Sequence, residues 1–179
     1  MTCIAAVADG KTVWMGCDSL VSGGGQTDVN KTPKVFIRDG LLIGTSGDCR
    51  FGQLMRYALA VPPLEVTESL ETWLTCQFTK AVRECFKEHG LQEKEKDREM
   101  SGGTALLGIR GRLFCLSGWY SFVEPDRHFE AIGSGGDTGR GVLWATKEMP
   151  PNVRIEMALN AAADLCTGVR GPFIILSSP

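Results

Sequence analysis

Thr2, the residue directly after the initiator methionine, is the residue of the chain best suited to do chemistry. Removal of Met1 would leave Thr2 as the first residue, because the enzymes that remove initiator methionines accept small second residues. A terminal threonine carries a hydroxyl nucleophile and an α-amine that can act as its base. The free α-amine has a pKa of about 7.7–8.0, and a buried, paired lysine beside it would lower that pKa and keep the amine able to accept the hydroxyl proton at neutral pH. Thr2 is therefore a candidate N-terminal nucleophile.

Two other kinds of site stay open. His89 and His128 leave room for a Ser-His-Asp or Cys-His arrangement, although His89 lies at a predicted helix end and His128 in a polar turn, where histidines are usually surface residues. The glycine-rich segment 133–136 follows a predicted strand and opens a helix, so its amides could bind an anion. Tight turns recruit glycine for steric reasons as well. The sequence contains no G-x-S-x-G elbow and no Walker loop.

The elements around these residues begin with apolar hairpins. Strand pairs are predicted at 3–8 with 12–17, at 34–37 with 41–44 and at 104–109 with 113–116, and single strands at 129–132 and 173–176. Because the strands are apolar without alternation, their sheets should be covered on both faces. Residues 22–25, between the first two hairpins, are predicted to form a flexible glycine-rich loop.

Helices are predicted in two separate groups. The first group covers 51–59 and 67–89, with Phe78 one residue out of the apolar register and Gly90 as the terminating glycine. The second covers about 135–144 and a helix capped by Asn152 that runs to about residue 166. This order predicts an α+β fold of one domain, residues 1–179, in which two antiparallel sheets are stacked between helical layers.

A family resemblance becomes visible when Asp18 and Lys34 are considered with Thr2. They follow Thr2 by 16 and 32 residues, which resembles the Thr, Asp and Lys spacing of proteasome β subunits and of the bacterial HslV peptidase. Five further segments resemble these proteins in register: 16–18 and 33–35 around the two charged residues, the glycine turn 44–47, the segment 131–136, and the last helix 158–166. The resemblance covers nearly the whole chain and keeps the element order.

The resemblance implies the N-terminal-nucleophile (Ntn) hydrolase fold, a four-layer αββα sandwich with two antiparallel sheets between helix pairs. It also implies a role for each matching residue. Thr2 Oγ would attack a carbonyl with its own amine as base, and Lys34, held by Asp18, would tune both groups. The Gly47 amide would stabilise the oxyanion.

Further roles are implied at the end of the last helix. Ser134 and Asp164 would orient the amine and a water molecule, with Thr167 in the position where proteasomes carry serine. In HslV-like proteins a monovalent cation such as Na⁺ is held by backbone carbonyls of this turn. The matching positions here are Ala163, Cys166 and Val169. No cofactor is otherwise expected.

Composition limits the partners and the compartment. The net charge of −2 gives no electrostatic case for binding nucleic acid. The most densely charged segment, residues 93–99, alternates in sign, which predicts a solvated loop or helix end. No apolar stretch approaches the roughly 18 residues of a membrane span, and the first residues do not resemble a signal peptide. Because the seven cysteines are scattered along the chain, we expect them to be reduced thiols. A cytoplasmic protein is therefore expected. Two histidines without clustered ligands argue against a zinc site.

Three functions follow from the resemblance. The first is a threonine endopeptidase that acts on proteins or peptides within a homo-oligomeric ring, with an unfoldase ATPase as partner. The second is a non-proteolytic Ntn amidohydrolase that acts on a small amide. The third is a catalytically silent ring or scaffold protein that keeps Met1.

Overall fold

The strands of the protein are antiparallel and mostly short. A computed structural model describes residues 1–23, 25–91, 93–95 and 98–178. The strands are β1 (Ile4–Ala8), β2 (Val13–Cys17), β3 (Leu20–Gly23), β4 (Gln26–Val29), β5 (Val35–Arg38), β6 (Leu41–Gly47), β7 (Glu93–Glu95), β8 (Arg98–Met100), β9 (Gly103–Ile109), β10 (Arg112–Leu116), β11 (Phe122–Val123), β12 (Phe129–Ile132) and β13 (Ile174–Ser177).

Two sheets carry most of these strands. The first sheet has the order β12-β1-β2-β13 and the second the order β11-β10-β9-β6-β5. All three predicted hairpins are present, as β1–β2, β5–β6 and β9–β10. Every residue of β1 is buried, as its unbroken apolar sequence predicts, because a strand between two packed layers has no solvent-facing side.

Two short strand pairs, β3–β4 and β7–β8, lie outside the main sheets. The prediction of a loop at residues 22–25 was wrong in part, because β3 and β4 pair on either side of the glycine run and Gly25 reverses the chain with a φ of 79°. Gly24 lies outside the described residues. The prediction of a solvated loop or helix end at 93–99 was also wrong in part, since β7 pairs with β8 there. Residues 96 and 97 are not among those described.

Helices cover the outer face of each sheet. They are α1 (Cys49–Tyr57), α2 (Leu70–Thr72), a π-helical segment (Trp73–Phe78), α3 (Thr79–Glu88), α4 (Gly136–Ala145) and α5 (Pro151–Leu165). α1 to α3 enclose one apolar core with the second sheet, α4 and α5 enclose another with the first sheet, and a third core lies between the sheets. The predicted four-layer αββα sandwich is confirmed. Its description as one domain stays a prediction.

The π-helical segment explains why Phe78 falls out of register in the sequence. The buried residues Leu70, Leu74, Phe78, Val82 and Phe86 recur every four residues. In an α-helix of 3.6 residues per turn, each such step drifts by about 40° around the axis. A wider π turn between Trp73 and Phe78 absorbs part of this drift and keeps both rings in the core, 5.2 Å apart.

The last helix begins differently from the prediction. α5 starts at Pro151 with Pro150 in the cap position, so Asn152 lies inside the first turn and is not the cap. Proline is favoured at the first helical position because its fixed φ suits the helix and its missing amide proton costs nothing there. Among the described residues, no helix combines the length and the apolar character needed to cross a membrane.

Candidate active site

Asp18, directly after β2, is the centre of a buried hydrogen-bond network. Its side chain is fully buried. Oδ1 accepts hydrogen bonds from Lys34 Nζ at 2.8 Å and from the Cys3 amide at 2.9 Å, and Oδ2 accepts one from the Leu20 amide at 3.0 Å. A buried carboxylate needs such partners. The arrangement ties Lys34, directly before β5, to Cys3, directly before β1.

Thr2 and Lys34 meet at the carbonyl oxygen of Met1. Lys34 Nζ donates to this oxygen at 3.3 Å, and the Thr2 hydroxyl also donates to it. Thr2 is only 4% exposed. The structure thus brings together the three residues whose spacing resembles the threonine peptidases. In this form Met1 is present, so the Thr2 nitrogen is an amide and cannot act as a base.

The turn before α4 holds the backbone of Thr2. Ser134 Oγ accepts a hydrogen bond from the Thr2 amide at 3.1 Å and donates to the Thr2 carbonyl at 3.3 Å, while the Gly135 amide donates to that carbonyl at 3.1 Å. Gly133 has a φ of 94°, and a Cβ there would stand 2.3 Å from the Thr2 carbonyl oxygen. The glycines of this segment therefore serve a close backbone approach to Thr2, and the Gly135 amide is engaged by the protein.

Gly47 ends β6 beside the same site. It has a φ of 118°, and a Cβ at this position would lie 2.6 Å from the Cα of Gly103 on β9. Only glycine fits such a contact without displacing the backbone. Gly47 and Thr2 line the same cavity.

Asp164 and Thr167 lie at the exposed end of α5 and in the following turn. Neither side chain makes a hydrogen bond or ion pair with another described residue. The side chain of Met1 lies against this turn, because a Cβ on Gly168 would stand 2.6 Å from Met1 Sδ. Met1 therefore packs against the turn that follows α5.

The carbonyl groups of the same turn suit a cation in their chemistry. The Cys166 carbonyl accepts one hydrogen bond, from the Val169 amide at 3.1 Å. The carbonyl oxygens of Ala163 and Val169 accept none from the described part of the chain. Oxygen atoms without a donor are the ligands that hard cations prefer.

A cavity of about 450 Å³ opens beside Thr2. His89 and His128 are not among its described lining residues. Its wall includes Thr45, from the glycine turn 44–47 of the sequence analysis, and residues that sequence reasoning missed, among them Phe36, Gly52 and Arg56. The signal for part of this wall was the three- to four-residue spacing of 49, 52, 53 and 56, which places them on one side of α1.

Two buried cysteines lie next to Asp18. Cys17 precedes it in the chain, and the amide of Cys3 donates to its carboxylate. Burial raises the pKa of Cys3 to about 12, and the neighbouring Asp18 carboxylate acts in the same direction. Burial also raises the pKa of Cys17. Both thiols are protonated at neutral pH, and a thiol is a much weaker nucleophile than a thiolate. Neither thiol is therefore an activated nucleophile.

Solved structures share this arrangement of layers along nearly the whole chain. BPH of Thiobacillus denitrificans superposes with a TM-score of 0.82 at 18% identity, covering 98% of this chain and 97% of that one. The chain has the proteasome-type Ntn-hydrolase fold. HslV from Trypanosoma brucei follows with a TM-score of 0.69, 21% identity and 98% coverage of both chains.

The same fold extends to a third group of structures. Anbu (ancestral beta-subunit) from Yersinia bercovieri has a TM-score of 0.68 at 16% identity, and the match covers 99% of this chain and 82% of that one. No protein-family model matches the sequence, and no curated protein matches it. The likeness therefore concerns the fold, and the chemistry has to be argued from the site.

Proposed function

We propose that the protein is a threonine-type endopeptidase whose nucleophile is Thr2 after removal of Met1. One observation carries the proposal. Lys34 Nζ lies 2.8 Å from the buried Asp18 carboxylate and 3.3 Å from the Met1 carbonyl oxygen, to which the Thr2 hydroxyl also donates. A structural ion pair would not need to point its ammonium group at the peptide bond that precedes Thr2.

Removal of Met1 would convert the site into a nucleophile with its own base. The Thr2 nitrogen becomes an amine, and Lys34 and the Thr2 hydroxyl both lose the carbonyl oxygen that they contact. The positive charge of Lys34 favours the neutral amine, which takes the proton of Oγ through a water molecule. Oγ then attacks the substrate carbonyl, the amine portion of the substrate leaves with that proton, and water hydrolyses the remaining ester.

Other residues would support this sequence of steps. The Gly47 amide would donate to the oxyanion, an interaction that typically raises kcat about 10²–10³-fold. Ser134 Oγ already contacts the Thr2 nitrogen at 3.1 Å and would hold the amine. Asp164 and Thr167 would orient the amine and the water once Met1 no longer lies against their turn. A Na⁺ ion bound by the carbonyls of that turn would stiffen it, and no other cofactor is required.

Two observations favour peptides over small amides as the substrates. The cavity beside Thr2 is open to solvent and large enough for a side chain of an extended peptide. One structure of the similar Thiobacillus denitrificans protein was solved in complex with epoxomicin, a peptide epoxyketone. We also propose a homo-oligomeric ring and an unfoldase ATPase partner, by analogy with HslV. Unpaired cysteines throughout the chain support the cytoplasm as its compartment.

Intact mass and labelling by a peptide epoxyketone test the proposal together. The protein purified from its native host should lack the mass of one methionine residue. It should gain the mass of the epoxyketone, because the ketone and the epoxide can react with the hydroxyl and the amine of one terminal threonine. Thr2→Ala should abolish both labelling and peptide hydrolysis, whereas the control Thr27→Ala, at an exposed position of β4, should leave them unchanged.

Each alternative function has its own outcome. A mass that keeps Met1 in the native host would identify a silent ring or scaffold protein. Thr2-dependent hydrolysis of small amides without hydrolysis of peptides would identify an amidohydrolase. Full peptidase activity in Thr2→Ala would show that the proposed mechanism is wrong.

A further inference from the structure

Two small residues stand in the wall of the cavity beside Thr2. Thr45 on β6 and Gly52 on α1 both line it. A Cβ on Gly52 would stand 2.8 Å from Thr45 Oγ1, so any larger residue at position 52 would have to displace its neighbour. Beyond these positions, one turn further along α1, the wall contains Arg56.

The side chain of Arg56 is fixed in its place. Its guanidinium group lies over the Phe36 ring, 4.1 Å from the centroid. Nη2 donates to the carbonyl groups of Pro33 and Val35, the latter at 3.3 Å. Nε and Nη1 make no hydrogen bond with the described residues. These donors are therefore available to a ligand, and the stacking holds them in a preformed orientation.

The charge of Arg56 is not balanced by a neighbouring carboxylate. The charged side chains among the described lining residues are Lys34, Asp48 and Arg56. Lys34 is paired with Asp18, and Asp48 caps α1 by accepting the Arg50 amide at 2.6 Å. Arg56 makes no ion pair with any described residue. Burial lowers the pKa of its guanidinium group, as expected of a partly desolvated cation that no anion compensates.

We propose that this cavity binds an acidic side chain, so that the enzyme cleaves peptides after glutamate or aspartate. The inference rests on the proposed function, because Thr2 must be the nucleophile for this cavity to hold the residue before the scissile bond. A substrate carboxylate would accept charge-assisted hydrogen bonds from the free donors of Arg56 and neutralise its charge. The guanidinium group of Arg56 would not select the residue that follows the scissile bond.

Fluorogenic peptides that differ only in the residue before the scissile bond test the preference. With Met1 removed, kcat/KM for the glutamate peptide should exceed that for the glutamine peptide by about ten- to a hundredfold, the usual worth of hydrogen bonds to a charged partner. Substitution of Arg56 itself could disturb residues 33–35, to which it donates. The decisive variant is therefore Gln53→Glu, at an exposed cavity position three residues before Arg56 on α1.

Gln53→Glu places a carboxylate within reach of Arg56 without altering its backbone contacts. The variant should lower the ratio of kcat/KM for the glutamate peptide to kcat/KM for the glutamine peptide at least tenfold. Gln53→Met tests the loss of the amide alone. Asn160→Asp, an equal change of charge at an exposed position of α5, is the matched control and should change neither value.

The outcomes separate this inference from the proposed function. Thr2-dependent cleavage with no preference for glutamate over glutamine would overturn the acidic specificity and leave the peptidase standing. An unchanged preference in Gln53→Glu would likewise show that Arg56 does not read the substrate. If no peptide is cleaved and no epoxyketone is bound, the proposed function fails, and the inference fails with it.

Discussion

At the scale of single residues, Asp18 connects the fold to the proposed chemistry. Its carboxylate accepts hydrogen bonds from the side chain directly before β5, from the backbone amide directly before β1 and from the first backbone amide of β3. One of these amides belongs to the residue after Thr2. Any movement of Asp18 would therefore shift both the ammonium group of Lys34 and the backbone that carries the nucleophile.

Substitutions at the two ends of this ion pair should differ in their effect on stability. Asp18→Ala leaves two backbone amides without their acceptor and the Lys34 ammonium group without its counter-ion, so we expect the free energy of unfolding to fall by about 3–5 kcal/mol. Lys34→Met should cost less, because Asp18 keeps its two amide donors and the Lys34 side chain is partly exposed. Both variants should lose peptidase activity. Urea denaturation and peptide hydrolysis measure the two effects.

Lys31→Met provides the control, since Lys31 is exposed and its loss should change stability by less than about 0.5 kcal/mol. A larger destabilisation by Lys34→Met than by Asp18→Ala would contradict the view that the carboxylate is the centre of the network.

At the scale of elements, glycine on β2 sets the distance between the first sheet and α5. A Cβ on Gly16 would stand 2.5 Å from Ile155 Cγ2 and 3.0 Å from Leu159 Cδ1. Both side chains are fully buried on α5. The strand that ends just before Asp18 is therefore held against the helix that ends near Asp164, and the two sides of the candidate site depend on this contact.

Two glycine-to-alanine substitutions should have opposite effects on stability. Gly16→Ala overfills the contact with α5 and should destabilise the protein by about 1–3 kcal/mol. Gly141→Ala lies in α4, where a Cβ would meet nothing within 4 Å, and it should stabilise by about 0.5–1 kcal/mol because alanine favours the helix. Midpoints of urea denaturation measure both. Equal effects of the two substitutions would show that backbone entropy, and not packing, governs position 16.

At the scale of the whole molecule, three apolar cores hold four layers together, and several thiols are enclosed within them. Cys3 belongs to the core between the first sheet and its helices, and Cys17 to the core between the sheets. The raised pKa of Cys3, about 12 against an ordinary value of 9.0, means that the folded state resists ionisation of this thiol. Stability should therefore depend on pH in the alkaline range.

The sign of this dependence follows from which state ionises first. Below pH 9 the thiol is protonated in both states, and its full contribution to stability is present. Between about pH 9 and 12 the unfolded state loses the proton first, so this thiol should reduce the free energy of unfolding by about 1.4 kcal/mol per pH unit. Urea denaturation under reducing conditions at pH 8 to 11 should show a shallower decline in Cys3→Ala. The control Cys76→Ala, at an exposed thiol, should decline like the unsubstituted protein.

Much of the architecture was predictable from the sequence, for a local reason. Apolar runs separated by turns define hairpins wherever the chain folds, so three hairpins and the alternation of strands with helices could be derived from neighbouring residues. The approach of Thr2, Asp18 and Lys34 was predictable only through the family resemblance, because residues 16 and 32 positions apart carry no contact information by themselves. Asn152 was mistaken for a cap because the cap and the first turn share the same polar preferences.

Tertiary structure decided the features that depend on distant partners. The position of the Lys34 ammonium group on the Met1–Thr2 peptide bond requires β1, β2 and β5 to be packed together. The unbalanced charge of Arg56 becomes visible only when the folded chain shows which carboxylates lie near it and which are engaged elsewhere. Hydrogen bonds, burial and charge balance act over a few ångströms in space, whereas the sequence orders residues along the chain. The nucleophile could therefore be inferred from residue type and register, and the character of the cavity beside it only from the fold.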